Sequence, residues 1–466
     1  MEHFAGFSPE ELTRARGFDC ACGQHHCMYL KYLRIGSGAI NELPQAVRAI
    51  GAARPMLVCA PDVVAAAGAR ADALLTGAGI PHSFFVLPAD AKGRIEPAEE
   101  ATGSLVLNFD RRCDLLIGVG SGVLNDICRV VSTTAKVPML IVGTAPSMDG
   151  YASASSSMVV GRIKQSLPLN PPAGILLDTD ILAEAPMELL SAGFGDVLAK
   201  YTALCEWRMA ALLRGEPYCE EVAALVKNAL DKVVSNAAGL KKRDRAAVQA
   251  VAEGLVLSGI GMAFVGHSRP ASGLDHYFSH CWEMMALERG RPYALHGIQV
   301  GLGSLYTVMV LQRMKAVAPP TMAKVEAAIS DFDPAAWEAN IRRVFGSAAD
   351  GILKAEARLG KNRPQGRRER AQKIVDHWDE LLAIIDGTVP SAETLRALLS
   401  DAGLPLTPEG IGVTEGDVID AFVCSRDIRE KYLTSSILWD VAYLDEFAGW
   451  LKEQISEEGT VEILCC

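Results

Sequence analysis

Over roughly its first 180 residues the chain alternates short, near-continuous apolar runs with longer stretches whose apolar residues recur at helical spacing. Residues 54–60 read as a buried strand, and residues 63–77 as a helix closed by glycine. Residues 83–87 give the next strand and 97–107 the next helix; residues 115–119 and 139–142 are two further buried strands. Strands and helices alternating at this spacing indicate βαβ units and a parallel sheet. Residues 153–177 are rich in serine, valine and glycine and read as a hairpin between domains. From Pro186 onward the pattern is almost wholly helical. The expected fold is therefore α/β, with a parallel-sheet domain followed by an all-helical C-terminal domain. The expected divisions are a Cys/His-containing segment at 1–30, a nucleotide-binding α/β domain at 31–185 and a helical metal- and substrate-binding domain at 186–466.

Composition narrows the function. The chain carries 45 basic and 56 acidic residues, a net charge of −11, with no basic run interleaved with aromatics, which argues against nucleic acid as a partner. The start of the chain lacks the apolar core of a signal peptide, and no segment offers 18 uninterrupted apolar residues. Most of the twelve cysteines stand singly in apolar segments, as Cys59, Cys113, Cys128, Cys205, Cys281 and Cys424 do, and read as small buried hydrophobes. A reduced cytoplasmic protein without membrane attachment is expected. The basic stretch 361–370 reads as a solvated loop and helix start.

Candidate chemistry concentrates in four places. The chain has nine histidines, of which His267, His276, His280 and His296 fall within one short region. His276 and His280, four residues apart, share one face of a helix, and His296 follows a turn-like stretch. With Asp196 of Gly193-Phe194-Gly195-Asp196, imidazoles and a carboxylate make a divalent-metal site with an open position, which is catalytic rather than structural. Asp196 reads as opening a helix, with Lys200 on the same face. Gly118-Val119-Gly120-Ser121-Gly122 follows an apolar strand and precedes a helix, so its backbone N–H groups suit a pyrophosphate. Val123 breaks the G-x-G-x-x-G fingerprint, and no Gly-Lys-Ser/Thr makes it a P-loop. After the next strand, Gly143 to Ser153 supplies small residues, hydroxyls and Asp149 at a strand's carboxyl end, where a dinucleotide approaches closely.

In this order, these strings resemble the glycerol-1-phosphate dehydrogenase family, within the iron-type alcohol dehydrogenase and dehydroquinate synthase superfamily. The resemblance runs from about Gly36 to about Tyr306 and is closest at Ala145-Pro146-Ser147-Met148-Asp149-Gly150 and from Ser268 to His280. It implies a Rossmann-like first domain, a dehydroquinate synthase-like overall fold, NAD or NADP as cofactor, and one divalent metal (zinc, nickel or iron). By the same resemblance Asp196, His276 and His296 hold the metal, and Asp149, Asp196 and His280 act on the substrate. The cofactor contacts fall on Gly120, Ser121, Gly122, Val123, Leu124, Thr144, Ala145, Pro146, Ser147 and Ser153. Asp62 faces the adenosine end, where a carboxylate favours NAD over NADP. The implied reaction interconverts dihydroxyacetone phosphate and sn-glycerol 1-phosphate, with Arg269, Lys164 and Lys200 as candidate cations for the phosphate. An unphosphorylated polyol is the alternative substrate, and a metabolite-binding module without catalysis is the non-enzyme alternative. Gly143 and Val123 depart from the family's usual proline and lysine and leave the cofactor preference open.

Two expectations stand outside this reading. Cys20, Cys22, His25, His26 and Cys27 have ligand types for zinc at close spacing, with Cys465 and Cys466 as distant contributors; an unliganded, redox-sensitive segment is the other reading. A large apolar helical half suggests a homo-oligomer.

Overall fold

The computed structural model describes residues 3–90, 93–161 and 163–464. It divides into two compact units, residues 1–197 with 219–271 and residues 198–218 with 272–466. The sequence boundary at 185/186 does not follow this division. The helices Glu220–Ser235 and Arg245–Val265 belong to the first unit: they pack on one another, and Arg245–Val265 also packs on the strand Tyr32–Gly36.

In the first unit, β1 (Gly17–Asp19) and β2 (His25–Cys27) form a small antiparallel hairpin. The strands β3 (Tyr32–Gly36), β4 (Pro55–Cys59), β5 (Ser83–Val86), β6 (Leu115–Gly120) and β7 (Met139–Gly143) follow, then the hairpin β8 (Ser155–Val160) and β9 (Ile163–Pro168), and last β10 (Gly174–Asp178). The main sheet is parallel, six-stranded and ordered β3-β10-β7-β6-β4-β5. β4, β6, β7 and β10 are buried along their whole length, as apolar runs of this kind require. One face packs Leu57, Cys59, Ile117, Val119, Leu140, Val142 and Leu176 against Leu43, Val47, Ala71 and Leu75 of flanking helices.

The hairpin expected over 153–177 is shorter: it ends at Pro168, and residues 174–178 leave it to become a central strand between β3 and β7. The helix expected over 63–77 opens with a wide π-type turn at Val64–Gly68 before regular helix at Ala69–Gly77. A side chain on Gly68 would lie 2.6 Å from Cys59 Sγ, so glycine lets this turn pack on the end of β4. The helix Arg245–Val265 is long and apolar enough to cross a membrane, but most of it is buried within the protein.

The second unit is helical. Its basic stretch 361–370 is the loop and helix start expected, with Arg363 and Gln365 exposed, but three of its cations are not solvated. Arg367 is buried over the Trp439 ring, Arg370 pairs with Asp440 at 2.7 Å, and Lys361 donates to the carbonyl of Arg426 at 2.6 Å.

Two helical glycines of the first unit sit close against backbone carbonyls. A Cβ on Gly193 would stand 1.7 Å from the Pro146 carbonyl oxygen, and one on Gly259 would stand 2.9 Å from that of Asp149. Gly193→Ala is expected to destabilise the protein by about 2–3 kcal/mol through forced backbone displacement. Gly77→Ala, on an exposed helix end with nothing within 4 Å, should be neutral or stabilising by about 0.5 kcal/mol. Urea unfolding of the two variants checks the contrast; equal behaviour would refute the packing argument.

Candidate active site and cofactor crevice

Sheet topology places the first component. From β4 the chain winds outward to β5, then returns to β6 and winds the other way through β7 to β10. β4 and β6 therefore flank the topological switch point, the place where open α/β sheets bind ligands beyond the carboxyl ends of their strands. Gly120 closes β6, Ser121 follows in extended conformation, and Gly122 opens the helix Gly122–Ala135. Thr144, past β7, donates its N–H to the Gly120 carbonyl at 3.1 Å, tying the two loops together. Asp62 lies exposed just past β4 at the same end. A side chain on Gly122 would lie 2.9 Å from Met148, so the glycine loop and the following loop pack in contact. Thr144, Ala145 and Pro146 are buried, while Val123 and Ser147 are half-buried and Leu124 is buried.

Beneath this loop is a residue that sequence reasoning missed. Arg129, on the helix Gly122–Ala135, is fully buried. Its guanidinium donates to the carbonyls of Gly150 (2.7 Å), Tyr151 (3.0 Å), Ser155 (2.8 Å) and Ser153, and to Ser153 Oγ (3.0 Å). Burial draws its pKa down to about 10, with Asp126 opposing the shift. The Ser153 hydroxyl shares hydrogen bonds with Arg129 and with the Gly150 and Ser155 carbonyls. Tyr151 closes the loop by donating to the Ala145 carbonyl at 2.7 Å. The backbone N–H of Asp149 donates to Asp196 at 2.9 Å, and Ser258 donates to the Asp149 carboxylate at 2.9 Å. Asp149 and Asp196 are thus brought together. Asp196 does not open a helix. It lies near the end of Met187–Leu198, and Lys200 begins the next helix, Lys200–Arg214.

The second unit holds the histidines. The helix Leu274–Glu288 carries His276 and His280, and His296 begins the helix His296–Met314. The ring centroids of His276 and His296 are 5.2 Å apart, and those of His280 and His296 5.8 Å. Buried carboxylates build this arrangement. Glu206 accepts the Leu274 N–H at 2.8 Å, capping the helix, and binds Thr434 with its other oxygen. A side chain on Gly273 would meet Glu206 at 2.6 Å and Asp275 at 2.9 Å, which explains glycine at that position. Asp275 accepts from Thr202 and from His276 Nδ1. Burial pushes the Asp275 carboxyl up, but His276, Thr202 and Lys200 together hold it below the usual carboxylate range. His296 Nδ1 shares a 3.0 Å hydrogen bond with Ser279. With Nδ1 engaged on both rings, Nε2 is the nitrogen that would carry a metal, so the donor set fits one. Burial, with Arg429 nearby, holds His280 well below the usual histidine range, so it is a neutral imidazole. Glu283 stands 3.8 Å from both His280 and His296.

Of the remaining candidates, Arg269 is buried in the first unit and Lys200 in the second, while the Lys164 side chain lies outside the described residues, as do Cys465 and Cys466. His267 Nδ1 accepts from the Arg269 backbone N–H at 3.3 Å. Asp275, Glu206 and Glu283 were not singled out from sequence; a carboxylate beside or three residues from a histidine was the signal for two of them.

Residues 34–186 match the model of the iron-containing alcohol dehydrogenase family. A glycerol-1-phosphate dehydrogenase (NAD(P)+) of Methanosphaerula palustris is 34% identical over 297 residues, covering 63% of this chain and 78% of that protein. The chain belongs to the glycerol-1-phosphate dehydrogenase family. A member from Halalkalibacterium halodurans is 28% identical over 415 residues, 89% of this chain and 93% of its own length. Among solved structures, glycerol dehydrogenase from Schizosaccharomyces pombe superposes with a TM-score of 0.57 at 16% identity, covering 91% of each chain. A probable glycerol dehydrogenase from Sinorhizobium meliloti 1021 gives the same score and identity over 90% of this chain and 97% of its own. These two establish the fold that the family shares.

Arg129→Met removes the donors for several buried carbonyls. It is expected to lower the unfolding free energy by about 3 kcal/mol or more. Urea unfolding measures it, and a loss below about 1 kcal/mol would show that the loop holds its shape without the guanidinium.

Proposed function

We propose that this family member is an NAD(P)H-linked, metal-dependent reductase of dihydroxyacetone phosphate that forms sn-glycerol 1-phosphate, and catalyses the reverse reaction. The observation that carries the reading is the pair His276 and His296, each fixed through Nδ1, in a chain whose relatives bear the glycerol-1-phosphate dehydrogenase name. The metal ligands in this reading are Asp196, His276 and His296. When bound, the ion supplies Lewis acidity to the substrate carbonyl, and the nicotinamide supplies the hydride.

The chain's own residues supply position. The N–H groups at Gly120, Ser121 and Gly122 face the pyrophosphate at a helix N-terminus, where the helix dipole favours negative charge. Thr144 to Ser147 form the adjoining wall, and Ser153 acts on it indirectly, through Arg129. Asp62 at the rim hydrogen-bonds an adenosine ribose and repels a 2′-phosphate, which favours NAD. Asp149, held by Ser258, accepts a substrate hydroxyl. His280, kept neutral by burial, offers the substrate one ring N–H and one acceptor nitrogen.

Purified, metal-reconstituted protein is expected to oxidise NADH or NADPH with dihydroxyacetone phosphate and to lose that activity on chelation. Turnover of dihydroxyacetone alone would assign it to an unphosphorylated polyol instead. Asp275→Asn leaves His276 without its anionic acceptor and is expected to weaken metal affinity about 10–100-fold. Metal titration of the variant tests this, and unchanged affinity would remove Asp275 from the account.

A further inference from the structure

The amino-terminal hairpin gathers a second ligand set, remote in chemistry from the redox site because three of its four donors are sulfur. Strand alternation selects the residues. On β2, His26 faces inward and is 1% exposed, while His25 and Cys27 on either side face solvent. His25 spends its ring on Asp19 at 2.7 Å. Cys20 and Cys22 lie in the turn between the strands, where Gly23 takes a left-handed conformation (φ +83°). The fourth member comes from far along the chain. Cys219, buried, immediately precedes the helix Glu220–Ser235 in the same compact unit.

The donor atoms have the spacing of a tetrahedron. Cys20 Sγ is 3.5 Å from Cys219 Sγ, and His26 Nε2 is 3.4 Å from Cys219 Sγ and 3.5 Å from Cys22 Sγ. All four donors lie within 4.8 Å of one another. Zinc bonds of about 2.3 Å to sulfur and about 2.0 Å to nitrogen give tetrahedral edges of about 3.8 Å between sulfurs and about 3.5 Å from sulfur to nitrogen. The ring of His26 is already oriented for ligation: Nδ1–H donates to the Phe264 carbonyl at 2.9 Å, which leaves Nε2 as the coordinating atom. Phe4 and Phe264 pack on that ring at 5.7 and 5.4 Å, and Phe18 packs on both phenylalanines, forming an apolar wall.

We propose that Cys20, Cys22, His26 and Cys219 bind a structural zinc ion that staples the amino-terminal hairpin to the first unit's helices. Three cysteines and one histidine complete the tetrahedron, so no position remains open for a substrate and the site takes no part in the redox step. The ion links β1 and β2 to the start of Glu220–Ser235 and, through His26, to the end of Arg245–Val265, the helix that also carries Ser258. His25 and Cys27, equal candidates by spacing, are left out by the pleat of the strand.

Cobalt(II) incorporated into the full chain is the test, because thiolate ligands give charge-transfer absorption in the near ultraviolet that aspartate and histidine ligands lack. The wild-type protein should show this absorption. Cys219→Ser should lose it, Cys22→Ser should weaken it, and Cys27→Ser should keep it. Zinc counted by mass spectrometry should fall by one ion per chain in Cys219→Ser but not in Cys27→Ser. If the serine variants fail to fold, the wild-type cobalt spectrum decides alone. Absence of the thiolate band in wild type would overturn the proposal, as would its survival in Cys219→Ser. Recovery of a Cys20–Cys219 disulfide from anaerobically purified protein would do the same.

Discussion

A buried positive charge organises the cofactor end of the first unit. Arg129 has no exposed surface, and burial has already lowered its affinity for its proton, so removing its acceptors would leave a charge in an apolar place. Its acceptors are backbone carbonyls of residues 150–155, and a guanidinium's planar fork can satisfy several at once in one fixed geometry. The helix that carries Arg129 is the helix that begins at Gly122. The loop past β7 and the glycine loop past β6 are therefore held by one element, and Asp149 inherits its position from that arrangement.

The second unit uses the opposite charge for the same purpose. Glu206 and Asp275 are buried carboxylates whose oxygens are taken by a helix N–H, two threonines and an imidazole. They set where the helix Leu274–Glu288 begins and which way the His276 ring turns. Glycines complete both units by allowing approaches that a methyl group would block: Gly193 and Gly259 in the first, Gly273 and Gly303 in the second, the last with a Cβ position 2.6 Å from the Asp275 carbonyl. In each unit, residues that never meet the substrate fix those proposed to do so.

Much of this was legible in the sequence. β4, β6 and β7 are apolar runs bounded by turn residues, and a parallel strand buried on both faces has no other pattern to show. β3 was missed because Tyr32-Leu33-Arg34-Ile35-Gly36 is short and interrupted by arginine, and β10 because Gly174–Asp178 follows the β8–β9 hairpin so closely that it read as part of it. Gly193 and Gly195 suggested a helix start at Asp196, whereas Gly193 permits helix-to-loop contact inside a helix. Arg129 was invisible because an arginine on an amphipathic helix ordinarily faces water. Cys219 was invisible because its partners are remote in sequence, and only the fold brings it to the hairpin. The histidine cluster survived translation into structure because helical spacing and a short turn are local.

The handedness of the product tests the proposed reaction most directly. Dihydroxyacetone phosphate reduced to completion by the purified protein with NADH or NADPH should yield glycerol phosphate that sn-glycerol-3-phosphate dehydrogenase cannot oxidise, while total glycerol phosphate accounts for the cofactor consumed. Product that this enzyme oxidises in full would be the opposite enantiomer and would contradict the account.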